Sequence, residues 1–161
     1  MPGLDREVGE IVTLVCDDSL DDSGYVLTYK GATNDVQKAD SSNYNRLAGV
    51  NYKSTEDPFN PGSYLTNQRI AVVRVGVMRV QLAPAASRST NITKGDPLAV
   101  LDAGKVAHWD DCPIDTLLGT VNAANLRTAL TALVGIALED VAANVDPSDG
   151  KILCYIKIGG I

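Results

Sequence analysis

The sequence predicts a mainly β protein whose short strands occur twice in the same order. Its 161 residues include 14 Gly and 7 Pro, which lie among many Asp, Asn and Ser residues. That pattern is typical of frequent turns. Hydrophobic residues make up 45% of the chain but aromatic residues only 5%, so Val, Ile, Leu and Ala must build the core. We therefore expect a small β-barrel or β-tulip-like unit, duplicated, with one short helix near residues 122–133.

The first half, residues 11–84, follows a segment at residues 1–10 where Pro2 and Gly3 favour an extended N-terminal arm. Runs of apolar and β-branched residues then predict five strands. These runs are EIVTLVCDD (10–18), GYVLTYKG (24–31), DVQKAD (35–40), LAGVNYKS (47–54) and RIAVVRVGVMRVQLAP (69–84). The last run is the strongest signal, because one face is mainly apolar and the other carries arginine. Residues 55–68 contain Asp-Pro and Asn-Pro-Gly, which predict a long loop.

The second half, residues 85–161, begins with a polar connection and continues into a hairpin. PLAVL and KVAHW are the two strands of that hairpin, and DAG is its turn. Residues 122–135 predict a helix, because Leu126, Ala129, Leu130 and Leu133 share one face and either Asn122 or Asn125 could cap its start. The last two strands are VGIALEDVAA (134–143) and ILCYIKIGG (152–160), and the turn VDPSDGK separates them.

An internal repeat relates the two halves. The segment from Gly24 to Asp40 resembles the segment from Gly95 to Asp110, since each is a strand, a glycine turn and a second strand. LAGVNY then resembles LVGIAL, and RIAVVRVG resembles KILCYIKIG. A half of this size buries little surface alone, so we expect both halves to pack as one compact domain.

Composition and charge exclude several classes of partner. The formal net charge is −6, and nucleic-acid binding requires clustered Lys and Arg, so we expect no nucleic-acid partner. The sequence has no apolar run long enough to span a membrane and no signal peptide, so we expect no membrane partner. Cys16, Cys112 and Cys154 have no metal-ligand spacing. Buried reduced thiols are favoured, and a disulfide or a cysteine at a subunit contact is the alternative.

One stretch, AGKVAHWDDC, gathers the rare reactive residues. His108 is the only histidine of the chain, so no second histidine could share a metal ion and every His-dependent mechanism must use this one. No nucleophile elbow or phosphate-binding loop occurs. We therefore predict a non-enzyme with no catalytic, metal or cofactor site. The alternative is a small β-barrel enzyme or ligand-binding domain that uses His108 with Asp110 or Asp111.

Four short motifs of the second half carry a resemblance to a known family. They are GDPL (95–98), GKVAHW (104–109), VGIALED (134–140) and DGK (149–151). In this order, over about residues 69–161, the chain resembles head decoration, or capsid cementing, proteins of tailed phages and related viruses, which have the lambda-type β-rich fold. The first 68 residues match only through the repeat. Two repeats in one chain depart from the single unit of that family.

The resemblance implies a structural protein of the virion and assigns no active-site residues. It implies binding to the major capsid protein on the outer face of the expanded shell, with self-association in which a trimer is favoured. The location would be the capsid exterior, and the host cytoplasm during assembly. In such proteins an N-terminal arm contacts the capsid. The candidate capsid or subunit contacts are Pro2, Leu4, Arg6, Phe59, Tyr64 and Trp109. A head-fibre base or a tail protein is the alternative.

Overall fold

Nine strands form one sheet in the computed structural model, which describes residues 6–120 and 122–158, with the backbone alone for residues 6–8. The strands are β1 (Arg6–Cys16), β2 (Val26–Tyr29), β3 (Asp35–Lys38), β4 (Leu47–Asn51), β5 (Gln68–Gln81), β6 (Pro97–Asp102), β7 (Lys105–His108), β8 (Leu133–Ala137) and β9 (Lys151–Lys157). The helices are α1 (Pro113–Leu118) and α2 (Ala123–Ala132), with 3-10 turns at Ala85–Ser87 and Trp109–Asp111. The predicted mainly β class is confirmed, but the described residues form no clear barrel.

The strand order in the sheet is β1-β3-β2-β4-β5-β9-β8-β6-β7, and β1 also pairs with β5. All strand pairs are antiparallel except β1 with β3. β1 pairs along β5 from Gln68 to Met78, so it occupies one edge of that strand. β4 and then β9 occupy the other edge. β5 is therefore the strand that holds the two halves of the sheet together.

The pairing registers of the two halves match residue by residue. Leu27 lies opposite Gly49 in the β2–β4 pair, and Leu98 lies opposite Gly135 in the β6–β8 pair. The register shifts immediately after both leucines. The hairpins agree as well, since Leu27 pairs with Lys38 and Leu98 pairs with His108. A one-residue slip would exchange the two faces of a strand. The matching registers therefore place equivalent residues of the two halves on equivalent faces.

Parallel pairing at the start of each half completes the equivalence. Cys16 of β1 pairs with Val36, and Leu82, just after β5, forms a parallel bridge with Val106. We call β1 to β4 with residues 68–76 of β5 the first unit, and residues 75–82 with β6 to β9 the second unit. β5 serves as the last strand of the first unit and as the first strand of the second. The boundary that the sequence places after residue 84 thus follows a strand that both units use.

Two apolar clusters fill the units. The first unit is filled by a cluster that contains Leu27, Val36, Ile70 and Val72. Their equivalents Leu98, Val106, Ile152 and Cys154 lie in the larger cluster of the second unit. All eight side chains are buried.

A third cluster packs below the helices. It joins Ala99 and Ala107 of the β6–β7 hairpin to Ile114 of α1 and Ala129 of α2. The helices therefore cover the face of that hairpin that points away from the core of the second unit.

Several expectations need correction. Residues 6–10, predicted as part of an extended arm, form the start of β1 and pair with β5, because Arg6 to Glu10 lie opposite Met78 to Val75. Residues 1–5 lie outside the described residues. The sequence predicted one helix, and α1 is a second one. Its six residues are too few for a helical period to show, although Pro113 at its first turn is a known start signal.

The predicted apolar face of the helix is wrong in two of its residues. Asn122 caps α2 as expected, since its side chain accepts a hydrogen bond from the Asn125 N–H at 2.9 Å. Ala129 is buried, but Leu126 and Leu130 remain 50% and 40% exposed. α2 thus packs against the sheet through its small residues and leaves leucines on its outer side.

Candidate interaction surfaces

His108 lies at the end of β7 with its side chain largely buried. Its Nδ1 accepts a hydrogen bond from the Asp110 N–H at 3.2 Å. Its Nε2 lies 3.5 Å from a carboxylate oxygen of Asp96, and Nδ1 lies 3.5 Å from one of Asp110. The structure therefore brings His108 and Asp110 together, as the alternative hypothesis requires, and adds Asp96, which the sequence did not indicate.

Asp111 does not join this group. Its carboxylate accepts hydrogen bonds from the N–H and hydroxyl groups of both Ser89 and Thr90. Partial burial opposes ionisation of Asp111, but the bonds from Ser89 and Thr90 together outweigh it and lower the pKa of this carboxyl. Asp111 therefore acts as an anchor that fixes the connection between β5 and β6 to the 3-10 turn.

The remaining chemical groups are arranged as structural elements. Among residues 6–120 and 122–158, no group of three or more His, Cys, Asp or Glu side chains is placed to hold a metal ion. No helix in this part of the chain is long and apolar enough to cross a membrane.

The three cysteines are buried free thiols. Burial raises the pKa of Cys16 to about 11 and those of Cys112 and Cys154 to about 12. A raised pKa keeps these groups protonated at neutral pH, so they behave as apolar side chains.

Among the side chains that the structure describes, the most exposed large apolar one lies on the Phe59 loop, residues 56–64. Phe59 is 90% exposed. A β-bridge between Glu56 and Tyr64 closes the base of this loop. Inside the loop, the Asp57 carboxylate accepts hydrogen bonds from the Phe59 N–H at 2.9 Å and from the Asn60 side chain at 3.3 Å. The loop is thus an ordered hairpin that holds Phe59 outward.

The base of the Phe59 loop is tied to the first unit. The buried Thr55 hydroxyl accepts a hydrogen bond from the Leu20 N–H at 2.8 Å, and the Leu65 N–H donates to the Thr55 carbonyl at 2.9 Å. The equivalent connection in the second unit, residues 142–149, is four residues shorter than residues 56–67. The Phe59 loop is therefore a feature of the first unit alone.

The other predicted contact residues lie in different places. Pro2 and Leu4 are outside the described residues, and Arg6 begins β1 opposite Met78. Tyr64 is half-buried at the base of the Phe59 loop. Trp109 begins a 3-10 turn and packs against the cluster below the helices. Among the three predicted contacts whose side chains the structure describes, Phe59 is the most open to a partner.

A second apolar surface, which the sequence did not indicate, crosses β6, β8 and β9. Pro97 pairs with Ile136, and Ile136 pairs with Tyr155, so the three side chains lie side by side on one face. We call these three residues the open row, because Ile136 is 42% and Tyr155 36% exposed. Leu130, Leu133, Gly135 and Lys157 complete a groove of about 280 Å³ around it.

A scan against protein-family models gives no match, and a search of curated proteins gives none either.

Proposed function

We propose that this chain is a structural virion protein that binds the outer surface of an assembled viral capsid and stabilises it. The observation that carries the proposal is the Phe59 loop, which holds a 90% exposed aromatic side chain on an ordered hairpin. Support also comes from the motif order described above, because the four motifs form or lead into the adjacent strands β9, β8, β6 and β7.

The Phe59 loop has the properties of an anchor for a protein partner. Aromatic side chains that fill a pocket of the partner dominate many interfaces. Burial of one Phe side chain stabilises a complex by about 1.5–3 kcal/mol. Because Asp57 already fixes the loop by two hydrogen bonds, little conformational freedom would be lost when Phe59 is buried.

The charge of the chain limits the kind of surface that the loop can meet. Glu56 and Asp57 lie in the same loop as Phe59, and the net charge of the chain is −6. We therefore expect the capsid surface to offer an apolar pocket with basic residues at its rim.

Stabilisation would follow from mass action. A protein that binds only the assembled shell stabilises it by about 2.7 kcal/mol per site when its free concentration is a hundred times the Kd. Many equivalent sites on one shell would add these contributions. No catalytic step is needed.

The test uses expanded capsids of the virus concerned, prepared without this protein. We expect the purified chain to sediment with the capsids and to raise their melting temperature. Phe59→Ala should weaken binding about tenfold to a hundredfold, because each 1.4 kcal/mol is a factor of ten. Val145→Ala is the matched control, since Val145 is an exposed apolar residue of the equivalent loop in the second unit. A wild-type chain that neither binds nor stabilises these capsids would refute the proposal.

A further inference from the structure

Equivalent side chains of the two units differ in burial at two places. In the first unit, Val26 pairs with Val50 and Val50 with Val73, so they form a row on one face. We call this the covered row, because all three side chains are completely buried. Its equivalents by register are Pro97, Ile136 and Tyr155, the residues of the open row. The same position of the fold is therefore covered in one unit and exposed in the other.

At the second place the side chains are buried in the second unit and more exposed in the first. Met78, Val80 and Val100 of the second unit are completely buried. Their equivalents in the first unit are Val12, Leu14 and Tyr29, which are only partly buried against the core of that unit. We call these three residues the β1 patch. At this position the first unit is the more exposed one.

Both differences have one cause inside the chain. The covered row belongs to the same apolar cluster as Met78, Val80 and Val100. The covered row is therefore part of the cluster that fills the second unit and not of the cluster that fills the first unit. Within the described residues the sheet contains no third unit next to the second one, and Ile136 and Tyr155 of the open row are exposed.

We propose that a second copy of this chain covers the open row with its β1 patch, and so repeats between chains the packing that joins the two units within one chain. The repeat indicates this partner, because the β1 patch is the register equivalent of Met78, Val80 and Val100, which share one apolar cluster with the covered row. Both surfaces are mainly apolar, and apolar burial drives most association between proteins.

One residue makes the contact between chains differ from the contact within the chain. The Val26 N–H donates a hydrogen bond of 2.8 Å to the Gly104 carbonyl across the two units. The equivalent of Val26 in the open row is Pro97, which has no N–H to donate. The contact between copies therefore depends on side chains, among which Ile136 and Tyr155 are 42% and 36% exposed in the single chain.

The proposed contact joins two different surfaces, so an open assembly keeps one free row at one end and one free patch at the other until a ring closes. It forms in the isolated protein and does not depend on whether the chain binds a capsid. Its failure and the failure of the proposed function are therefore separate results.

The first experiment measures the mass of the purified chain by sedimentation velocity at micromolar concentration. We expect wild type to form species larger than one 17.0 kDa chain. Ile136→Lys and Tyr155→Lys should each shift the distribution to monomer, because a charged group would have to be buried in the contact. Val12→Lys should also shift the distribution to monomer, because it places a charge in the β1 patch. Val145→Lys changes an exposed apolar residue outside both surfaces and should leave the distribution unchanged.

The second experiment mixes two defective variants. Ile136→Lys keeps an intact β1 patch, and Val12→Lys keeps an intact open row. An equimolar mixture should form complexes of one copy of each variant and nothing larger, although each variant alone is a monomer. Circular dichroism confirms that each variant is folded. If Val12→Lys fails to fold, Tyr29→Lys replaces it, since that residue of the patch lies on a different strand.

Three results would overturn the inference. Wild type could sediment as a monomer, in which case a capsid subunit or nothing covers the open row. Ile136→Lys could leave the wild-type distribution unchanged. Val12→Lys could self-associate as wild type does, which would mean that the open row pairs with another open row.

Discussion

The two units share a register but differ in what covers their outer faces. In the first unit a short connection, residues 39–46, joins β3 to β4. In the second unit residues 109–132 make the same connection and contain both helices. Both equivalent side chains are buried, but Ala99 packs under the helices, whereas the Thr28 hydroxyl donates a hydrogen bond to the Arg46 carbonyl at 2.9 Å. The strand registers define the repeated fold, and the connections decide what covers this face of it.

Two equivalent glycines offer the most severe test of that comparison. Gly49 and Gly135 occupy the same position, opposite Leu27 and Leu98. A Cβ at Gly135 would overlap the Tyr155 carbonyl oxygen, and one at Gly49 would lie 2.6 Å from the Val73 carbonyl oxygen. We expect Gly49→Ala and Gly135→Ala each to lower the free energy of unfolding by about 3 kcal/mol or more, since paired backbone cannot move away. Urea unfolding followed by circular dichroism measures both.

Gly9→Ala is the control for this pair. A Cβ at Gly9 would lie 3.5 Å from the Val75 carbonyl oxygen, which is an ordinary contact distance. The expected change is below about 1 kcal/mol. A large loss at only one of Gly49 and Gly135 would break the equivalence of the two positions.

Arg88 tests a feature that only the second unit has. Its side chain is completely buried in the connection between β5 and β6. The guanidinium donates hydrogen bonds to the carbonyl groups of Ala83, Ala142 and Val145. Arg88→Met should lower the free energy of unfolding by about 2–4 kcal/mol, because buried acceptors lose their donors.

Arg88→Lys should cost nearly as much, since a single ammonium group cannot match the planar fork that meets three carbonyl groups. Arg127→Met on the exposed side of α2 is the control and should stay within about 0.5 kcal/mol of wild type. Thermal unfolding by differential scanning calorimetry would distinguish these outcomes. Near-wild-type stability of Arg88→Met would mean that solvent replaces the guanidinium.

Cys154 gives the smallest expected effect. It is completely buried, and its equivalent in the first unit is Val72, which is also completely buried. Cys154→Val should therefore change the free energy of unfolding by less than about 1 kcal/mol. Cys154→Ser should cost about 1–3 kcal/mol, because it buries a hydroxyl group among apolar neighbours. If the valine variant were the less stable of the two in urea unfolding, the two cores would not be equivalent in packing.

The strands could be predicted from the sequence because each is a short apolar run bounded by turn residues. The repeat also could, since it depends on the order of those runs. The open row could not be predicted. LAGVNY and LVGIAL have nearly the same pattern, yet Val50 is completely buried and Ile136 is 42% exposed. Burial at these positions depends on which unit lies next to them, and a local pattern carries no such information.

The candidate site was predictable only in part. Phe59 stood out because it is the only Phe, in a loop rich in Pro and Gly, and the structure adds the hydrogen bonds that hold it outward. Asp96 was missed beside His108 because eleven residues, which include most of the β6–β7 hairpin, lie between them in the sequence. The role of Arg88 was missed because its three acceptors are backbone carbonyl groups, which no sequence pattern marks.

The shared strand β5 has a consequence for the way this chain unfolds. If β5 detaches, each unit loses one strand of its sheet. Neither core can therefore stay folded while the other unfolds. We therefore expect cooperative two-state unfolding, with calorimetric and van't Hoff enthalpies that agree. The two similar units of this protein thus unfold as one cooperative unit, because they share one strand.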